Sequence, residues 1–233
     1  MTDGPHNMAA DEVLLESAVA GMASLRFYGW SAPTVSLGYF QPERMRRADE
    51  RLARLAYVRR PTGGGALVHH HEVTYALALP ANPAWQAKDH GSWLCRMHSI
   101  IAGALSSVGV STATVSQEHP VRDVLCFHHL TPGDLVLDAA KIVGSAQRKQ
   151  RGALLQHGAI LLAASPDAPE LPGIRELTGR SISAGDIIPD LEKEFAARTG
   201  WPLTAVDWTA AEHRRIEELV RIKYGQVAWN QKR

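Results

Sequence analysis

Cysteine is scarce in this sequence. Among 233 residues only Cys95 and Cys126 occur, which is too few for the disulfide framework of a small secreted domain. Either side chain is therefore available as a reactive thiol.

An excess of charge is also missing. Lysine and arginine number 25 against 24 aspartate and glutamate residues, which leaves a formal charge of +1. This balance gives no reason to expect nucleic acid or an anionic membrane as a partner. No stretch is apolar for long enough to span a bilayer, and Met1–His6 has neither the basic start nor the apolar run of a signal peptide. We therefore expect a cytoplasmic protein.

The sequence also lacks the two common nucleotide-binding loops, GxGxxG and GxxxxGK followed by Ser or Thr, both of which open helices. Its glycine-rich stretch, Arg59–His69, leads instead into β-branched and aromatic residues at Ala66–Leu79, a pattern that predicts one or two strands. Three consecutive glycines let the backbone turn sharply and approach a ligand closely. The residues alone leave two interpretations, a ligand-binding corner or a solvated hairpin turn.

The remaining pattern predicts an α+β fold, with a largely antiparallel sheet and segregated helices. A helix over residues 8–20 would be capped by Asn7, and a basic helix over 44–55 would turn most of its charge to water. The other predicted helices are 93–108, one starting near Ser183 or Asp186 and ending at Gly200, and a last one behind a Thr209/Glu212 capping box. The predicted strands are 24–30, 34–39, 134–137, 141–146 and 153–162, and Pro80–Asp89 is predicted to be a loop.

Three stretches place polar or glycine-rich sequence where a strand would prefer Val or Ile. They are Cys126-Phe127, Lys141-Ile-Val-Gly-Ser-Ala-Gln147 and Gln156-His-Gly-Ala-Ile-Leu-Leu162. Together with Asn7-Met-Ala-Ala-Asp-Glu12, the RRPTGGGALVHHHEVTYAL corner, Lys223-Tyr-Gly225 and Trp229-Asn230, they resemble the lipoate-protein ligase and octanoyltransferase family over nearly the whole chain. The resemblance implies one catalytic domain over residues 1–233, with the fold shared by biotin and lipoate ligases. The GRGRxGR-type loop of biotin ligases is missing.

The resemblance is greatest to the cysteine-dependent octanoyltransferases, which carry a Cys-Phe before the Lys-x-x-Gly-Ser-Ala-Gln hairpin. It implies that Cys126 is the acyl-accepting nucleophile and that Lys141 favours its thiolate. A nearby ammonium raises the thiolate fraction of a cysteine, and the thiolate is the nucleophile.

Further residues are implied to line the substrate pocket: Arg60, Gly63, Gly64, Gly65, Ala66, His69, Gly144, Ser145, Ala146, Gln147, His157 and Gly158. Small residues leave room for an eight-carbon chain. Gly65 departs from the transferase pattern, which often has an arginine there, and agrees with the ligases.

By this resemblance the donor is octanoyl-acyl carrier protein, and the acceptors are lipoyl domains of the glycine-cleavage H-protein or of 2-oxoacid dehydrogenase subunits. No cofactor is expected. ATP and Mg²⁺ would be needed if the protein were a lipoate ligase, and an octanoyl amidotransferase between lipoyl proteins is a further alternative. A different kind of hypothesis is that the protein is not an enzyme but a module that binds an acyl group or a metal. A zinc site at His69, His71, Cys126, His128 and His129 is conceivable, but the spacing matches no standard metal pattern, and no metal is expected.

Overall fold

The computed structural model describes residues 1–82, 92–119 and 124–232. Nine strands are described: β1 (Ser24–Tyr28), β2 (Thr34–Leu37), β3 (Ala56–Arg59), β4 (Leu67–His69), β5 (Glu72–Leu79), β6 (Ala113–Thr114), β7 (Leu135–Leu137), β8 (Ala140–Gln150) and β9 (Ala153–Leu161). Among the described residues the helices are α1 (Gly4–Val19), α2 (Glu43–Arg47), α3 (Glu50–Arg54), α4 (Trp93–Ser107), α5 (Ile174–Thr178), α6 (Ala184–Thr199), α7 (Ala210–Leu219) and α8 (Val227–Asn230). Within these ranges no helix is long and apolar enough to cross a membrane.

The strands form two sheets. The larger is antiparallel, in the order β1-β5-β9-β8-β7-β6, and the smaller is β3-β2-β4, in which β2 and β3 run parallel. The predicted α+β class is confirmed. The glycine corner connects two strands of the small sheet, β3 and β4, and the chain crosses to the large sheet only between β4 and β5.

Helices cover both faces of the large sheet, and β5 shows why. Its residues alternate between the two faces, as strand geometry requires. Val73, Tyr75, Leu77 and Leu79 join the cluster built with α4 and α6, whereas the smaller Ala76 and Ala78 meet the leucines of α1. This double burial explains why the strand is apolar along nearly its whole length.

Several predicted boundaries are confirmed by their caps. The side chain of Thr209 accepts from the backbone of Glu212, and Ser183 does the same for Asp186, each within a capping box. The predicted strands of the β7–β8–β9 meander are also present. The predicted loop Pro80–Asp89 lies outside the described residues from position 83 onward.

Two local predictions are wrong. The first helix is capped by Asp3, and Asn7 is instead a buried residue within it that donates to Gly29 O. The basic stretch is two short helices, interrupted where Asp49 caps α3. The predicted strands β1 and β2 are both present, and each joins a different sheet.

The charge on this basic stretch does not all face water. Arg46 is buried, where it pairs with Glu43 at 2.7 Å and donates to the carbonyl oxygens of Leu52 and Ala53. A buried guanidinium with a carboxylate and two carbonyl partners is satisfied. Its role is therefore to hold α2 against α3.

Candidate active site

Cys126 lies on a short segment that is bound to the glycine corner through its backbone. The N–H of Cys126 donates to Ala66 O at 2.7 Å, and the N–H of Ala66 donates to Val124 O at 2.8 Å. The chain then makes one 3₁₀ turn, Cys126–His128, with Phe127 buried in the apolar cluster beneath the small sheet. These contacts hold a half-buried thiol beside the three glycines.

Gly65 permits this close approach. A Cβ built on Gly65 would stand 3.1 Å from both Cys126 N and Val124 O, and 3.2 Å from Cys126 Cα. These atoms belong to the backbone, so a side chain would push the Cys126 segment away from the corner. The third glycine, which the sequence associates with ligases, thus has a packing role that is independent of any nucleotide.

Two cavities meet at Cys126. The inner one lies between the two sheets and encloses about 500 Å³ of empty space, counted to its open mouth. Its lining combines apolar side chains with a few polar groups: Met8, Tyr28, Ser36, Arg60, Gly64, Leu67, His69, Thr74, Cys126, Phe127, Gly144, Ser145, Ala146, His157, Gly158 and Ala159. This composition, mostly apolar with a few polar groups, is typical of a small-molecule pocket.

The outer cavity is larger, with about 930 Å³ of empty space counted in the same way. It is lined by Gly63, Gly64, Gly65, Leu125, Cys126, His129, Thr131, Lys141, Ser145, Ala146 and Gln147. Cys126, Gly64, Ser145 and Ala146 line both cavities. A group held in the inner cavity and a molecule entering through the outer one would therefore meet at the thiol.

All but one of the residues expected to line the pocket do line one of these cavities. The exception is Ala66, which is fully buried in the core of the small sheet and contributes its backbone bonds to Cys126. The sequence interpretation missed several lining residues on β1, β2 and β5, among them Tyr28, Ser36 and Thr74. A hydroxyl at each of three otherwise apolar strand positions was the available signal.

Lys141 is bound to a carboxylate. Its Nζ lies 2.7 Å from Asp134 Oδ2 and 3.1 Å from His129 O, and both charged side chains are almost fully buried. The Lys141 side chain crosses Gly144 so closely that a Cβ there would overlap its Cε atom. Asp134 also accepts from the N–H and hydroxyl of Thr131. The ammonium that the sequence assigns to the thiol is thus neutralised by a neighbouring carboxylate.

Two histidines of the inner cavity are held in fixed orientations. The Nδ1 atom of His157 lies 2.9 Å from Asp11 Oδ2, and its Nε2 lies 2.6 Å from Thr62 Oγ1. His69 is bonded to Glu72 and Ser36. Burial lowers the pKa of His69, and Glu72 opposes that shift only partly.

Ser145 is held in place by a hydrogen-bonded chain behind the cavities. His98 Nδ1 lies 2.6 Å from Gly133 O, so this nitrogen carries the proton and donates to the carbonyl. Its Nε2 then accepts from the Ser145 hydroxyl at 2.5 Å, and Tyr75 O–H donates to Ser145 Oγ at 2.6 Å. Burial lowers the pKa of His98 and raises that of Tyr75 to about 12, which keeps both groups neutral at pH 7.

The histidine clusters do not converge. Within residues 1–82, 92–119 and 124–232 no group of three or more His, Cys, Asp or Glu side chains could hold a metal ion. His70 and His71 stack on each other with ring centroids 3.6 Å apart, whereas His69 stacks on Trp30 at 3.8 Å.

Comparison with known proteins identifies the family. Residues 3–171 match the family described as the lipoyl protein ligase A/B catalytic domain. The chain belongs to this family. Over 97% of its length it is 31% identical to "Octanoyltransferase LipM" of Geobacillus kaustophilus, and over 96% it is 32% identical to the protein of the same name from Kyrpidia tusciae. The alignments cover 94% and 93% of those relatives. The expected family is confirmed, and the protein is an acyltransferase enzyme.

The family fold is confirmed as well. The crystal structure of lipoate-protein ligase A bound with ATP superposes with a TM-score of 0.80, covering 99% of this chain and 95% of the ligase. The two sequences are 21% identical, and at that level the likeness concerns the fold alone.

Proposed function

We propose that the protein is an octanoyltransferase that carries the acyl group on Cys126 and delivers it to a lysine of lipoyl domains. The observation that carries this proposal is the position of the thiol, at the junction of two adjoining cavities. Relatives about 30% identical over nearly the full chain are octanoyltransferases. The other thiol, Cys95, is exposed on α4 and lines neither cavity.

In the first step the Cys126 thiolate attacks the thioester carbonyl of octanoyl-acyl carrier protein. A carbon–sulfur bond forms to Sγ, the bond to the carrier's sulfur breaks, and the carrier leaves as a thiol after taking up a proton. One thioester replaces another of similar energy, so this step requires no ATP. The inner cavity would hold the eight-carbon chain.

In the second step the neutral amine of a lipoyl-domain lysine attacks the acyl-enzyme. A carbon–nitrogen bond forms, the bond to Sγ breaks, and the amine's proton ends on the departing thiolate. The amide product is more stable than the thioester, which drives the transfer forward. The acceptor lysine would arrive through the outer cavity.

Each step develops an oxyanion, which needs hydrogen-bond donors. The strand β8 pairs with β7 only as far as Val143, and the outer cavity opens beyond that point, along Ser145, Ala146 and Gln147. Backbone N–H groups at this open edge are the donors we favour. Lys141, already bonded to Asp134, is better suited to fixing the β7–β8 hairpin and the His129 carbonyl.

The test is acylation without ATP. The protein is mixed with octanoyl-acyl carrier protein and weighed by intact mass spectrometry. We expect one hydroxylamine-labile octanoyl group, absent in Cys126→Ala and present in the matched control Cys95→Ala. If no adduct forms and a lipoyl domain is modified only when ATP is added, the protein is a ligase. If octanoyl is taken up only from an octanoylated lipoyl protein, it is an amidotransferase.

A further inference from the structure

One basic side chain at the cavities differs from the others in its partners. The four other basic residues that line the two cavities each have a carboxylate within ion-pair distance. They are Lys141 with Asp134 (2.7 Å), His129 with Glu118 (3.1 Å), His157 with Asp11 (2.9 Å) and His69 with Glu72 (2.6 Å). Arg60 has none among the residues that the structure describes. Its charge is therefore the one that no described carboxylate offsets.

The contacts of Arg60 are all with neutral oxygens. Nη1 donates to Ser36 O at 2.9 Å and to Ser36 Oγ at 3.1 Å, whereas Nη2 donates to the carbonyls of Gly63 and Gly65 at 2.8 and 2.7 Å. Arg60 is 7% exposed. These bonds satisfy the donors, but a buried guanidinium without a counter-ion is costly unless an anion is close.

Cys126 is positioned to supply that anion. The Cβ that Gly64 lacks would stand 2.9 Å from Arg60 Nη2 and 3.7 Å from Cys126 Sγ, so both groups lie close to one point beside Gly64, and all three residues line the inner cavity. Gly64 has φ +89°, in the left-handed region. Burial lowers the pKa of Arg60, and the charge of a Cys126 thiolate acts in the opposite direction.

We propose that Arg60 is the cation that stabilises the Cys126 thiolate. The family resemblance of the sequence implies this role for Lys141 instead. The inference rests on the proposed function only in taking Cys126 as the nucleophile. Gly64 would be required because a side chain there would crowd the Arg60 guanidinium and would touch the Cys126 sulfur. The same loop that binds the Cys126 segment through the backbone of Ala66 thereby brings the charge to the thiol.

The test measures ionisation separately from access. Cys126 is alkylated with iodoacetamide at pH 7 and at pH 10 in a Cys95→Ala background, and the ratio of the two rates reports the thiolate fraction at pH 7. An opposite charge within about 4–6 Å shifts an ionisation equilibrium by about tenfold or more. We expect Arg60→Gln to lower the rate ratio about tenfold and Arg60→Lys to recover most of it. A purely structural role would change both rates together.

Two controls complete the experiment. The double variant Lys141→Met/Asp134→Asn removes the other cation together with its partner, and we expect its rate ratio to stay within about twofold of the parent, because that pair carries no net charge. With Arg60 intact, the ratio of the alkylation rate at pH 7 to that at pH 10 should be higher for Cys126, measured in Cys95→Ala, than for Cys95, measured in Cys126→Ala. This last comparison needs no Arg60 variant and so does not depend on how such variants fold.

Three results would overturn the proposal. The first is an equal rate ratio for Cys126 and Cys95, and the second is a rate ratio in Arg60→Gln equal to that of the parent. The third is a double variant whose rate ratio falls as far as that of Arg60→Gln. No substrate is present in these reactions. Failure of the octanoyl transfer assay with an intact Arg60 effect would therefore reject the proposed function and leave this inference standing.

Discussion

Replacing Lys141 with methionine tests what the buried ion pair contributes to stability. The Nζ atom lies 2.7 Å from Asp134 Oδ2, and the two side chains are 3% and 1% exposed. Removing the lysine leaves the carboxylate buried with Thr131 as its remaining partner. Breaking such a pair from one side costs about 3–5 kcal/mol, because the charge left behind stays desolvated. We expect the unfolding free energy of Lys141→Met to fall by about that amount.

The second variant separates the charge from the packing. In Lys141→Met/Asp134→Asn no unpaired charge remains, and the amide still offers an oxygen to Thr131, so we expect at least half of the loss to be recovered. The assay is urea denaturation at pH 7 with equal m-values as the check on two-state unfolding. A single variant that loses less than about 1 kcal/mol, or a double variant less stable than the single one, would refute the ion-pair interpretation.

Two further predictions concern Cys126 packing and pH. Gly65→Ala should lower the unfolding free energy by about 1–3 kcal/mol and slow alkylation of Cys126, because the added Cβ meets backbone atoms. The control Gly63→Ala should do neither, because its Cβ would meet nothing within 4 Å. Equal effects of the two variants would contradict this packing. Burial lowers the pKa of His98, so the unfolded chain binds its proton first and stability falls as the pH drops below about 6.5. Urea titrations at pH 7 and 5.5 measure how much unfolding free energy is lost between the two pH values. We expect this loss to be about 1 kcal/mol smaller in His98→Gln than in the parent and unchanged in the exposed control His213→Gln. A loss in His98→Gln as large as in the parent would show that His98 is not kept neutral.

Much of the fold follows from local sequence signals. The capping boxes at Ser183 and Thr209 mark helix starts because the side chains that satisfy the first N–H groups lie next to them in the chain. The β7–β8–β9 meander is equally local, since its strands follow one another in the chain and pair with their neighbours across two short turns. Pattern and neighbour contacts suffice for such elements.

The wrong predictions depended on distant contacts. Asn7 has the chemistry of a cap, but its side chain bonds to Gly29, 22 residues away. The sequence made no prediction of how β1 and β2 pair, because that choice is made by distant strands, β5 for β1 and β3 and β4 for β2. Arg46 resembles its solvated neighbours until the fold buries it beside Glu43.

The site likewise has features that sequence motifs predict and features that only tertiary contacts determine. Cys126, Lys141 and the glycine corner could be named from motifs, and the structure brings all of them to two adjoining cavities. The pairing of charges could not be predicted from motifs. Lys141 meets Asp134 across a hairpin, and the proposed pairing of Arg60 with Cys126 depends on the docking of two distant segments. Which cation serves the thiol is a property of the tertiary structure.

The central claim is that one acyl group passes through Cys126 on its way to a lysine, and a single-turnover chase tests it most directly. Acyl-enzyme made from octanoyl-acyl carrier protein is freed of donor and mixed with a lipoyl domain in the absence of ATP, and both proteins are followed by intact mass. We predict that the octanoyl group leaves Cys126 and appears as a hydroxylamine-resistant amide on the lipoyl domain. An acyl group that stays on the enzyme, is released as free octanoate, or moves only when ATP is added would contradict the account.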